Sequence, residues 1–136
     1  MRCVRVIVLA LVALPLLAQA ASGTWSKKSA GGVVSVGHQV LVSRALVAPV
    51  PLPGSASATR ITWHIRLLNP PPVGLEIKLC TPARCVPLKA LSGELQCTLP
   101  LSPAGPFRFI YSVAHHGQLI PALNVVSNQL TVTYRD

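Results

Sequence analysis

Few side chains here offer chemistry, and the cysteines come first. Cys80 and Cys85 bracket Thr81-Pro82-Ala83-Arg84 in the stretch GLEIKLCTPARCVPLK (residues 74–89), between two short apolar runs. Such a pair can be half of a metal site, a redox couple or a structural crosslink. A zinc site needs four ligands, and His115 and His116 are the only other clustered donors. Adjacent residues on a strand point to opposite faces, although a loop could bring the two imidazoles together. Catalytic dithiols of the thioredoxin kind enclose two residues, not four. A hairpin explains more of the surrounding sequence. With TPAR as its loop, Cys80 faces Cys85, Leu79 faces Val86, Ile77 faces Leu88 and Glu76 faces Lys89. Apolar then meets apolar and acid meets base, as a stable cross-strand register requires. Opposed β-carbons lie about 4.5–5.5 Å apart, close to disulfide range. A crosslink that locks register is therefore expected, with Pro87 placing its strand at or near a sheet edge. Cys97 shares parity with Leu95 and Leu99 and is expected as a buried free thiol; otherwise it competes for Cys80 or Cys85 or pairs between chains.

The rest of the inventory gives little material for catalysis. The three acids are Glu76, Glu94 and the last residue, Asp136, too few and too scattered for paired-carboxylate hydrolysis. There is no G-x-S-x-G elbow, no interior aspartate for a Ser-His-Asp triad and no phosphate-cradling glycine loop. His38 and His64 fall on strand patterns and read as surface or satisfied histidines. No enzyme activity and no cofactor are expected; the chain reads as a β domain that works by binding. Arg60, His64 and Arg66 stand in line on the polar parity of RITWHIRLL, and Arg108 and Lys78 extend the line if their strands are neighbours. Trp25 is a candidate for stacking on a sugar or a protein partner. Trp63 shares parity with Ile61 and Ile65 and is expected in the core.

The elements that must carry these residues are strands. All of the 13 prolines except Pro15 lie beyond residue 20, and no long window repeats apolar residues at helical spacing. Alternation recurs instead: Val34, Val36, Val40 and Val42; Ile61, Trp63, Ile65 and Leu67; Leu75, Ile77 and Leu79; Phe107, Phe109, Tyr111 and Val113; Val126, Leu130, Val132 and Tyr134. Turn formers separate them in 48–58, 69–74, 99–106 and 115–118. Alternating runs mean sheets with one buried and one wet face. The expectation is an all-β, antiparallel sandwich or partly open barrel of about seven to eight short strands. Residues 22–32 (SGTWSKKSAGG) read as polar and flexible, anchored only by Trp25.

The start of the chain speaks to compartment. Arg2 and Arg5 precede the uncharged run Val6–Ala18, and Ala18-Gln19-Ala20 has the small-residue form of a leader cleavage site. A signal peptide over 1–20, cut after Ala20, leaves 21–136 as one sandwich domain without a membrane anchor. Cys3 leaves with the leader, and an oxidising periplasm would preserve the expected crosslink. Of the formal net charge of +9, two units belong to Arg2 and Arg5. The remaining basic residues are spread singly apart from Lys27-Lys28, unlike the clustered pattern of a nucleic-acid binder. They suit either a solubilising surface or an acidic partner.

GLEIKLCTPARCVPL, PFRFIYSV and above all GQLIPALNVVSNQLTVTYR, with the early Gly23-Thr24-Trp25 and the strand around Trp63, resemble the flagellar FlhE family of Gram-negative bacteria. The resemblance spans nearly all of the chain after the leader. Cys97 and the Pro-rich 48–58 segment depart from the family pattern. The likeness implies a small periplasmic, non-enzymatic accessory of flagellar assembly. It implies a plug or chaperone that binds rod or export components, keeps filament growth out of the periplasm and limits proton leakage through the export apparatus.

Overall fold

A computed structural model describes residues 22–97 and 101–136; the leader, its cleavage point and Leu99 lie outside the described residues. Eight strands follow one another, with no helix among the described residues: β1 (Ser22–Val36), β2 (Leu41–Val42), β3 (Ser57–Leu67), β4 (Leu75–Cys80), β5 (Cys85–Leu88), β6 (Ser92–Gln96), β7 (Arg108–Val113) and β8 (Gln118–Arg135). They form two four-stranded antiparallel sheets, ordered β1-β8-β3-β6 and β2-β7-β4-β5, that do not close into a barrel. The all-β sandwich expected from alternation is the observed architecture.

The inward rows make the core. Ile61, Trp63 and Ile65 of β3 and Leu130 and Val132 of β8 face Ile77 and Leu79 of β4 and Phe109, Tyr111 and Val113 of β7. Gly93 of β6 pairs with Trp63, and a β-carbon there would sit 2.9 Å from the indole ring. The Trp63 indole N–H donates to the Ala90 carbonyl at 2.9 Å. One polar link joins the two layers. Tyr111, fully buried on β7, donates its hydroxyl to Asn128 Oδ1 on β8. The Asn128 amide, also fully buried, donates to Ser29 Oγ at 3.3 Å and the Ala30 carbonyl at 3.5 Å on β1. Burial pushes the Tyr111 phenol well above its ordinary range, because phenolate would lose its hydration.

Three expectations are corrected. Residues 22–32 are not a flexible lead but most of β1, a 15-residue strand paired with β8 from Ser22↔Arg135 to Val36↔Gln118. Trp25 and the tertiary pairing override weak local propensity, and Gly31 is required because a side chain there would overlap the Val125 carbonyl. The valine run 34–42 is not one buried stripe. Val34 is buried, but a register shift before Val36 and a turn with His38 at φ 67° leave Val36, Val40 and Val42 exposed. In β8 a second irregularity, where Arg66 pairs with Ser127 and Leu67 with Val125, skips Val126. Parity reverses across it, so Val125 is buried and Val126 is exposed.

Candidate functional site

The cysteine hairpin has the expected register: Ile77↔Leu88, Lys78↔Pro87, Leu79↔Val86 and Cys80↔Cys85. A disulfide joins Cys80 to Cys85 across a Cα separation of 4.0 Å. Thr81 closes the loop, its N–H donating to the Arg84 carbonyl at 2.8 Å. The strand bearing Pro87 is the edge of its sheet. The ladder stops at Leu88, and Glu76 pairs instead with Ser112 of β7. Among the described residues the one ion pair is Arg60–Glu94, 3.7 Å, so the expected Glu76–Lys89 pairing does not form. Cys97 is a free thiol, half-buried against the core beyond β6, and its burial raises the thiol pKa.

Arg60, His64 and Arg66 occupy the outer face of β3, all exposed. Successive same-face residues lie about 6.6 Å apart, so the three cover roughly 20 Å of strand. Arg60 leans on Glu94 across the β3–β6 ladder; both side chains are about half exposed (48% and 52%), a pairing worth at most about 1 kcal/mol. Neighbouring strands complete the face. Lys28, Gln129, His64 and Ser92 form one cross-strand row, and Ser26, Thr131, Thr62 and Glu94 the next.

Two predicted members are elsewhere. Arg108 and Lys78 belong to β7 and β4 of the opposite sheet, so they cannot extend the β3 line. Arg108 donates to the Ser43 carbonyl at 3.2 Å. Trp25 is 6% exposed, packed against Phe107 with ring centroids 6.0 Å apart, and its indole N–H donates to the Pro103 carbonyl at 2.7 Å. It fills the core and presents no stacking platform, because its place on β1 turns it inward.

Sequence reasoning missed what lies at the end of the basic line. Beyond Arg66 the chain enters Leu68 and Pro70-Pro71-Pro72-Val73, and Leu68 and Val73 are 65% and 95% exposed. Ile120, 85% exposed beside the cis Ile120–Pro121 peptide, faces the same region. Pro70–Val73, His115 and Gln118–Pro121 border a groove of about 530 Å³. A second hollow of about 350 Å³ flanks the same prolines between Leu75, Ile77 and Lys89. Proline runs look like turns in sequence, which hides their joint apolar surface. His116 meets His38 with ring centroids 5.7 Å apart. Among the described residues, no three His, Cys, Asp or Glu side chains are grouped to hold a metal ion.

These sheets define an open antiparallel sandwich with a basic outer face and an apolar end. A family model described as "Flagellar protein FlhE" matches residues 32–135. The Escherichia coli (strain K12) protein of that name is 36% identical over 128 residues, covering 93% of this chain and 97% of the relative. The Salmonella typhimurium protein is 38% identical over the same shares. A solved structure titled "Crystal Structure of FLHE" superposes with a TM-score of 0.79 at 34% identity, over 85% of this chain and 99% of that one. The chain belongs to the FlhE family of flagellar proteins. Among its described residues, no helix is long and apolar enough to cross a membrane.

Proposed function

We propose that this protein is a non-catalytic accessory of the flagellar system that acts in the periplasm after its leader is removed at Ala20. It binds a protein of the flagellar rod or export apparatus, as a chaperone or plug, and so supports correct assembly and limits proton leakage. The observation that carries the reading is the run of exposed basic side chains on β3 leading into the exposed apolar end at Leu68, Val73 and Ile120. Monomeric proteins rarely leave large apolar side chains together at a surface unless something docks there. A basic approach beside an apolar contact suits a protein partner carrying acidic and apolar groups. Both tryptophans are buried, which removes the motive for a sugar-stacking reading.

Val73→Asp/Ile120→Asp tests this, because both side chains are almost wholly in solvent and surface changes of this kind cost within about 0.5 kcal/mol. In a strain lacking its own copy, the double variant is expected to accumulate normally, yet to leave periplasmic filaments and acid sensitivity uncorrected and to lose crosslinking to basal-body proteins. Full correction by this variant, with crosslinking intact, overturns the proposal.

A further inference from the structure

Strand β1 is 15 residues long and forms one border of its sheet. Which of its backbone groups are unpartnered follows from the alternation of antiparallel ladders. Ile65 donates its N–H to the Leu91 carbonyl, and Cys97 donates to the Thr59 carbonyl, so odd-numbered residues of β3 bond toward β6. Even-numbered ones, from Arg60 to Arg66, therefore bond toward β8, against Thr133, Thr131, Gln129 and Ser127. The Thr133 carbonyl indeed receives the Thr59 hydroxyl from that side. Val132, Leu130 and Asn128 must then bond toward β1, where they pair with Trp25, Lys27 and Ser29. That leaves Thr24, Ser26 and Lys28 with N–H and C=O directed away from the sheet.

Nothing among the described residues takes up these groups through the backbone, and Thr24, Ser26, Lys27 and Lys28 are all exposed. The border of the facing sheet is the two-residue β2, whose Leu41 lies beside β1 at Gly32. The sequence-early half of β1 thus overhangs as an open edge. Its charge selects what can pair with it. Lys28 stands on the outer face beside Gln129 and His64, whereas Lys27 emerges at the inner rim although its ladder partner Leu130 is fully buried. Edge lysines, especially inward-pointing ones, discourage indiscriminate pairing. Antiparallel pairing of two copies through this stretch would bring lysines toward lysines, which is unfavourable. An acidic strand meets both lysines favourably, so one device repels the wrong strands and admits the right one.

We infer that the open edge of β1, from Thr24 to Lys28, takes an extended acidic segment of a protein partner by strand addition. Three residues each offer one donor and one acceptor, and carboxylates on adjacent residues of the partner, one on each face of the added strand, pair with Lys28 above and Lys27 at the rim. This rests on the reading of the chain as a binding protein and names the chemistry of its partner.

The probe is a capped peptide of threonines around adjacent glutamates, which present a carboxylate on each face, with a counterpart carrying lysines in their place, followed by amide hydrogen exchange at low salt. The glutamate peptide is expected to slow exchange at Thr24, Ser26 and Lys28 at least ten-fold, while the lysine peptide leaves them unchanged. Lys27→Glu/Lys28→Glu should weaken the glutamate peptide by up to about five-fold per lysine. Ser26→Pro, which removes an outward N–H and no ladder bond, should abolish the protection without unfolding the sheet. Peptide binding that leaves the three amides unprotected overturns the inference. So does slow exchange at them in the protein alone, with a dimer in sedimentation. Capture of basal-body protein separates the two proposals. If Ser26→Pro still captures it, the edge is not the docking site and the binding reading stands. If no variant of either surface alters capture, both fall.

Discussion

Replacing Tyr111 by phenylalanine should destabilise this protein by about 2 kcal/mol, and the origin of that cost can be isolated. Tyr111 and Asn128 are both fully buried, and the phenol is the donor to Asn128 Oδ1. Tyr111→Phe removes one oxygen and leaves the ring packing unchanged. The space vacated is smaller than the roughly 30 Å³ a water occupies in the liquid. Asn128 keeps its two amide donations to Ser29 and Ala30, so it stays seated with its carbonyl unpaired. An unsatisfied buried acceptor costs about 1–3 kcal/mol. Asn128→Leu alone strands the phenol hydroxyl in the same way. The double substitution removes both polar ends, so its cost should fall short of the sum by at least about 1 kcal/mol. Urea unfolding with m near 2 kcal/mol/M would show a midpoint lowered by about 1 M for Tyr111→Phe. Additive single effects, or a Tyr111→Phe cost under about 0.5 kcal/mol, would refute the claim that this bond ties the sheets together.

Two further outcomes follow from the same layers. Opening the Cys80–Cys85 crosslink by Cys85→Ser should cost about 2 kcal/mol, the chain-entropy value for so small a loop, measured by urea midpoint against the oxidised parent, with the reduced parent matching the variant. Because burial raises the folded-state value of Tyr111, its contribution to stability is intact below pH about 10 and declines as pH rises beyond it, by up to about 1.4 kcal/mol per pH unit. Urea midpoints between pH 9 and 11, compared with Tyr111→Phe, should show that extra decline in the parent alone.

The cysteine hairpin was legible because opposing side chains encode register: only one alignment sets Leu79 on Val86 and Ile77 on Leu88 while bringing the cysteines together. Ile61, Trp63 and Ile65 were legible for a related reason, since an uninterrupted period of two survives into an uninterrupted stretch of β3. Where the ladder slips, parity misleads. Val126 matches Leu130 and Val132 in sequence but lies beyond the irregularity opposite Arg66 and Leu67, so it points outward. SGTWSKKSAGG carries almost no strand propensity of its own, and its conformation comes from β8, about a hundred residues away. Arg108 shows the remaining gap. Its exposure follows from alternation, but its assignment to the opposite sheet depends on strand order, which local pattern does not encode. The apolar end was hidden for a similar reason, because Pro70–Val73 and Ile120 meet only after β3 and β8 are side by side.

The pairing of β1 with β8 also sets the order in which this molecule can be completed. A ribosome makes Ser22 long before Arg135, yet these residues are register partners. Until β8 is available, β1 has no neighbour within its own sheet, β3 lacks its longer ladder, and the Asn128 link to Tyr111 does not exist. The nascent chain can close the local Cys80–Cys85 hairpin, but the part of its hydrophobic interior that β1 and β8 supply must wait for β8. Loop closure over nearly the whole chain makes that last step slow compared with hairpin formation. Such a topology keeps the polypeptide threadable through a narrow channel until β8 has been made.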